Sequence, residues 1–457
     1  MRSSSRALAA VAVAVAVASG AAACSSGSSS STSSSSSASG SSSSAPTASI
    51  TAWIVTTAAA GSPAPSDTAV QNLATAFNKA HPGDTVTIKF VQNDAYKQQI
   101  QDAMTAGNEP QIFWTWGGGP LQQDIKAGKV TPLTTTANLS SSYLGQFLPS
   151  SLGAVTVNGN VYGIPVEGTQ PVYFFYNKTV FSKYNLTFPT TWAQLLSDVA
   201  VFKSHGVAPI SLAGGPTWPE LMYLEYLADR IGGPSVADAL QSNQANAWSN
   251  PAVTEALTDI QSLIKAGAFQ TGYTTLQDNG TNDTLVTSGK AAMQLMGDWD
   301  ISSILGSDPS FISSGDLGMA PFPAVAGGTG NAADLAGNTA SYVSISTNAS
   351  AAQIAVAKEF FQDELASSSY AQAEVAAGEV PVTSGAASDF TGNMASFDTT
   401  IYNDVQKAPS FQYSWDQAMT PGVSAEMLTD LAKIFDLSMT PAQMVSDLNA
   451  TAAKDAS

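Results

Sequence analysis

The chain has 457 residues, with 17 Lys plus Arg against 35 Asp plus Glu, two histidines and one cysteine. That acidic balance repels nucleic-acid phosphate and anionic lipid and argues against a strongly anionic ligand, and a single cysteine excludes an intrachain disulfide. Charged residues are only 11% of the chain, against a usual share of about a quarter, so the surface is largely neutral-polar.

The N-terminus reads as a secretory signal. Arg2 and Arg6 form a basic region, residues 7–18 an apolar stretch, and Ala21-Ala22-Ala23 closes it with small residues. The stretch is too short for a membrane span, which needs about 20 apolar residues. Cys24 follows directly, as at a bacterial lipoprotein site, where the thiol is lipidated and becomes the mature N-terminus. Such signals usually carry Leu three residues before the cysteine, and this chain has Ala21. The expected division is a signal peptide at 1–23 and a lipid-anchored Ser-rich linker at 24–47. The serine tract at 25–44 cannot build a core and spans about 25 Å r.m.s. as a flexible chain. Losing Arg2 and Arg6 leaves 15 basic against 35 acidic residues. The remaining body of about 410 residues is long enough for two domains.

Periodicity predicts a strand at Ile50–Val55 and a helix at Pro65–Ala80, where Val70, Leu73, Ala74 and Phe77 share a face and His81-Pro82-Gly83 stops it. A strand at Val86–Val91, a helix at Asp94–Ala106, a strand at Ile112–Trp116 and a short helix at Pro120–Ala127 follow. This alternation implies a parallel sheet with covered faces. Val155–Tyr162 reads as a hairpin turning at Asn158-Gly159. Strands are expected at Val172–Tyr176, Pro209–Leu212, Ala291–Met296 and Tyr342–Ser346, and helices at Trp192–Lys203, 219–231 and 251–266. From Ala351 the pattern is mainly helical, at 351–366, 369–377, 395–406, 421–435 and 441–453.

Catalytic and metal signatures are sparse. His81 and His205 sit at predicted helix ends, no His/Cys/Asp cluster has metal-ligand spacing, and no nucleophile elbow, P-loop or dinucleotide fingerprint occurs in context. No cofactor is expected. Gly117–Gly119 permits a tight turn or a close backbone approach to a ligand. The tryptophans say more. Trp192 and Trp248 read as core, whereas Trp53, Trp116, Trp218, Trp299 and Trp415 fall at strand ends or in loops, several beside an acid. A flat indole covers the C–H face of a sugar, and carboxylates or amides accept bonds from its hydroxyl rim.

The segment 158–196 contains Tyr162-Gly163-Ile164-Pro165, Tyr176-Asn177-Lys178 and Pro189-Thr190-Thr191-Trp192. SGKAAMQLMGDWD (288–300), PQIFWTWGGGPLQQDIKAGKVTPLT (110–134), AKEFFQDELASSSY (357–370) and GEVPVTSG (378–385) lie in the same relative order as in a known family. Over about residues 48–450 the chain resembles the family 1 extracellular solute-binding proteins, the maltose-binding-protein-like sugar-binding lipoproteins of ABC importers. The resemblance implies an α/β, two-lobe periplasmic-binding-protein-like fold with a hinge, an interlobe cleft and a helical C-terminal third. It implies lobe 1 at 48–165 plus 322–368 and lobe 2 at 166–321 plus 369–457, with crossings near Pro165, Pro321–Pro323 and Ser367–Tyr370. By position it carries ligand contacts onto Glu167, Trp116, Asp298, Trp299, Trp415 and Trp53. Gly117 and Trp218 join them from the residue reading. Gln111 stands where relatives have Asp, and a structural cap is expected there.

The reading that follows is a non-enzymatic binding protein for a neutral sugar, an oligosaccharide, delivered to ABC permease subunits. It is expected to be an extracellular monomer without nucleic-acid partners, touching the membrane only through its lipid anchor. Two alternatives stay open. An extracellular glycoside hydrolase needs two carboxyl groups about 5–10 Å apart, and Glu167 with Asp298 is the pair to nominate. A polyamine or other cation binder of the same fold would use cation–π contacts in an acidic cleft.

Overall fold

A computed structural model describes residues 47–56, 58 and 63–455. The signal peptide, Cys24 and the serine tract lie outside the described residues. The strands are β1 (Ser49–Thr56), β2 (Thr85–Gln92), β3 (Ile112–Thr115), β4 (Thr156–Val157), β5 (Asn160–Val161), β6 (Ile164–Glu167), β7 (Gln170–Asn177), β8 (Ala208–Ser211), β9 (Ala291–Gly297), β10 (Leu317–Ala320), β11 (Leu335–Asn338), β12 (Ser341–Ile345) and β13 (Phe411–Tyr413).

Two sheets divide them. The first runs β2-β1-β3-β12-β6. The β-α-β-α-β opening makes β1 parallel to both β2 and β3, as the alternation predicts, while β12 lies antiparallel between β3 and β6. Its core takes Ile50, Ala52 and Ile54 from alternate positions of β1, with Leu73 and Phe77 from the helix Pro65–Ala80. The second sheet runs β13-β11-β7-β9-β8, with β10 also paired to β7. Its central strands β7 and β9 are buried on both faces and read as continuous apolar runs. Trp192 and Trp248 pack in this second core, as do the C-terminal helices Pro421–Phe435 and Pro441–Asp455.

The predicted helices Pro65–Ala80, 251–266 and 421–435 form with those bounds, and Asn158-Gly159 turns between β4 and β5. The expected helix 351–366 is α-helical over Ala351–Phe360 and widens to a π-turn at Phe361–Leu365. Strands β6, β10, β11 and β13 went unpredicted. Each is only three or four residues long, too short to show a period.

The chain leaves the first sheet after β6 and enters the second at β7 across Gly168-Thr169, and it returns between β11 and β12 across Thr339-Ala340. A crossing near Pro321–Pro323 is therefore corrected. Both β10 and β11 pair with β7, and Phe322 stacks on Trp192 at 5.8 Å inside the second core, so residues 322–338 stay with the second sheet. A crossing at Ser367–Tyr370 is corrected too. Tyr370 is buried in the first core, and its hydroxyl donates to the Val166 carbonyl. The third connection runs beside the hinge. The Thr169 N–H donates to the Val380 carbonyl at 3.0 Å and the Leu148 N–H to the Val382 carbonyl at 2.8 Å. The chain joins the second core by Ile401 in the helix Ala395–Lys407.

Candidate functional site

Between the two sheets lies a cleft with a volume of about 90 Å³. Strand ends and helix starts converge there from both lobes, with the hinge as its floor. From the first lobe, β3 delivers Trp114 and, just past its end, Trp116, whose rings meet edge to face at 6.2 Å. From the second come Trp218 and Trp299, each the first residue of a helix, Trp218–Gly232 and Trp299–Ser307, with centroids 6.0 Å apart. Trp116, Trp218 and Trp299 are half-buried, each keeping surface toward the cleft. Trp116, Trp218 and Trp299 thus border one space from both lobes, with Trp114 buried in the first core beside Trp116.

The polar complement comes from the hinge and the rims. The Gln170 amide donates to Glu167 Oε2 at 3.1 Å, and Gln170 Oε1 accepts from the Ser341 hydroxyl at 3.1 Å, linking both hinge connections. Asn93, Lys97, Asn338, Ser414, Asp416 and Gln417 complete the rim. The lobes already touch around the space. Lys97 pairs with Asp416 at 3.2 Å, Trp218 Nε1 donates to Asp94 at 3.4 Å, the Ser302 hydroxyl donates to Ser66 at 3.2 Å, and the Tyr413 hydroxyl donates to the Trp116 carbonyl.

The charge in the cleft is one-sided. Burial first, then the negative charges of Glu379, Asp67, Glu374 and Asp298, push the Glu167 carboxyl well above the usual range. Burial also raises Asp67, against the bonds it accepts from Thr56 and Ala64.

Of the residues expected in the site, Trp116, Glu167, Trp218 and Trp299 line the cleft together. Four do not. Trp415 is fully buried in the second core, edge-on to Trp248, with its Nε1 donating to Gln412 at 2.9 Å. Glu225, from another part of the chain, anchors it by accepting from its N–H at 2.6 Å. Trp53 packs against the first core with the Lys89 ammonium 3.9 Å above its ring. Asp298 is wholly buried behind Trp299, with neither carboxyl oxygen partnered. Gly117 backs onto Ala154 rather than a ligand space. Gln111 is the expected structural cap, accepting from the Thr51 N–H at 3.0 Å. Lys97, Asn338, Ser341, Glu379 and Asp416 were missed, since nothing in their spacing separates a rim residue from a cap or a solvated helix face.

The chain is similar to known proteins over most of its length. The model of the bacterial extracellular solute-binding proteins matches residues 60–372. An uncharacterized ABC transporter extracellular-binding protein of Pyrococcus horikoshii is 26% identical over 256 residues, 55% of this chain and 56% of that protein. The multiple sugar-binding protein of Streptococcus mutans is 28% identical over 47% of this chain and 50% of its own length. The chain thus spans about half the length of the curated relatives it matches. A solved structure from work on xylan utilization by the thermophilic bacterium Caldanaerobius polysaccharolyticus is 29% identical, with a TM-score of 0.78 over 88% of this chain and 99% of that one. A chitin oligosaccharide binding protein, 21% identical with a TM-score of 0.78 over 89% of this chain and 98% of its own, shares the fold. With two lobes, a hinge and an interlobe cleft in place, the chain belongs to the bacterial extracellular solute-binding proteins.

Proposed function

We propose that this protein is the substrate-binding component of an ABC importer, capturing a neutral sugar, an oligosaccharide, by lobe closure and handing it to membrane permease subunits. The observation that carries the reading is the pairing of Trp116 on one lobe with Trp218 and Trp299 on the other, above a polar hinge. Stacking covers the sugar's apolar faces while the hinge amides and carboxyls meet its hydroxyls. Among the described residues, the one lysine lining the cleft, Lys97, is engaged by Asp416, which leaves no clamp for a phosphate or carboxylate ligand. The hydrolase alternative loses support because Asp298 is sealed behind Trp299 and has no access to a glycosidic bond.

A thermal-shift screen tests the proposal, because a ligand bound only by the folded state raises the melting temperature. The panel takes xylo-oligosaccharides, chitin oligosaccharides, galacto-oligosaccharides and raffinose, after the names of relatives and neighbours. A rise with one class, without turnover, is the expected result. No rise with any sugar, or release of product, defeats the reading.

The body works as a monomer on the outer face of the cytoplasmic membrane, held by lipid on Cys24. Among the described residues no helix is long and apolar enough to cross a membrane. Mass spectrometry of the mature N-terminus tests the anchor, and an unmodified N-terminus removes the tether while leaving sugar capture intact.

A further inference from the structure

Glu379, at the back of the cleft, has no part in the reading above. The helix Ser368–Ala376 ends in a left-handed turn at Gly378, φ 87°. There the Gly378 N–H donates to the Val375 carbonyl at 3.1 Å and the Glu379 N–H to the Glu374 carbonyl at 2.9 Å. This Schellman closure sets Glu379 just beyond the negative end of the helix. Its side chain lines the cleft but is only 1% exposed, and its Oε2 has no hydrogen-bond partner.

The charged neighbours of Glu379 are all acids. They are Glu167 from β6, Glu374 from its own helix, Asp298 after β9, Asp398 from the helix Ala395–Lys407 and Asp67 from the helix Pro65–Ala80. Tyr370 is the other titratable group beside it. Asp298 and Asp398 are fully buried and none of their four carboxyl oxygens has a partner. Among the described residues, none of the ion pairs joins a Lys, Arg or His to any of these six acids. Their oxygens do not converge as a metal site either; among the described residues the groups that do lie elsewhere, at His81, Glu359 and Asp363 and at Glu426, Asp430 and Asp447. Two further unpartnered atoms mark the ligand side independently of the acids. They are the Trp114 Nε1 donor and the Asn338 Oδ1 acceptor, on residues 4% and 8% exposed that line the same cleft.

We propose that Glu379 serves the cleft as a neutral carboxylic acid, so that capture of the sugar is coupled to uptake of a proton. With no cation and no metal to balance it, a proton on Glu379 is what relieves the crowding of like charge. Burial, then Asp398 and Asp67, hold this carboxyl up to about 8. With the lobes in contact the cleft keeps water from Glu379, which favours the protonated form. The coupling rests on the sugar-capture proposal, whereas the protonation of Glu379 does not.

The test has two arms. In protein carrying 13C-labelled glutamate carboxyls, the resonance absent from Glu379→Gln should titrate with a midpoint above about 7; a midpoint near the ordinary value of about 4.3 overturns the proposal. In calorimetry with xylotriose, or the panel sugar giving the largest thermal shift, binding in buffers of different ionisation heat should show net proton uptake. Affinity should fall from about pH 7 to about pH 9, by up to about tenfold per pH unit. Glu379→Gln, which keeps a neutral donor of similar shape, should lose the pH dependence. A flat or rising pH profile of the parent, or a glutamine variant that no longer binds, overturns the coupling. Should the glutamine variant not fold, proton uptake by the parent decides alone. Failure of every sugar to bind defeats the capture reading and leaves the titration to decide on Glu379.

Discussion

Trp299 and Trp415 separate two uses of the same side chain. Trp299→Ala removes a half-buried stacking face from the cleft and should weaken sugar binding by about 1–3 kcal/mol, read by calorimetry; an unchanged affinity takes Trp299 out of the site. Trp415→Ala leaves the cleft wall in place and empties a core position. It should cost about 3–5 kcal/mol of stability in denaturant unfolding, and a loss under about 1 kcal/mol would contradict the packing. Both tryptophans sit beside an aspartate in the sequence, so that local signal was ambiguous. What distinguishes them is the set of partners the fold brings to each. Glu225 and Gln412 satisfy the polar atoms of Trp415 from inside the fold, whereas Trp299 faces the lobe opposite. Trp116 was legible because the expected strand Ile112–Trp116 ends there and its end meets the cleft, whereas Glu167 came from the family resemblance alone, since β6 is too short to show a period.

At the scale of elements, the hinge is built from backbone held against backbone. Gly168 lies against the Val380 carbonyl so closely that a Cβ would run into it, and the next residue, Thr169, makes the 3.0 Å bond to that carbonyl. Gly168→Ala should therefore push the two hinge connections apart and cost about 1–3 kcal/mol, seen as a lowered melting temperature together with weakened sugar binding. A variant of parental stability and affinity would show that the hinge tolerates the displacement. The long amphipathic helices and central strands could be read from periodicity. The crossing expected near Pro165 falls close to the observed one at Gly168-Thr169, but the other two could not be read, because β11 is short and its small residues answer to partner strands from other parts of the chain. Pro321 and Pro323, natural markers of a break, only turn the chain within the second lobe.

At the scale of the whole molecule, buried acids govern how stability varies with pH. Glu374, Glu167 and Asp298 are raised well above their ordinary values, first by burial and then by the negative charge of Glu379. The folded state thus binds more protons than the unfolded chain in the interval between. Their contribution is complete below the unfolded values, about 4, and is lost as pH rises through the folded ones. The melting temperature should fall steadily from about pH 5.5 to about pH 8.5, and Glu374→Gln should flatten that fall. A constant or rising melting temperature would contradict the burial of these groups. The net acidity was plain in the composition, but its concentration at the hinge was not. Six acids scattered from Asp67 to Asp398 meet only once both lobes are folded.

The rim opposite the hinge closes with equal economy. Gly118 lies against the Gln417 carbonyl and Gly119 against that of Met419, and neither contact leaves space for a single methyl group. Two main chains meeting without side chains between them cannot be partly engaged, because a gap of an ångström forfeits much of the attraction. The rim is therefore a gauge as well as a seal. A guest that fits would let it shut, and one that protrudes there would hold it open.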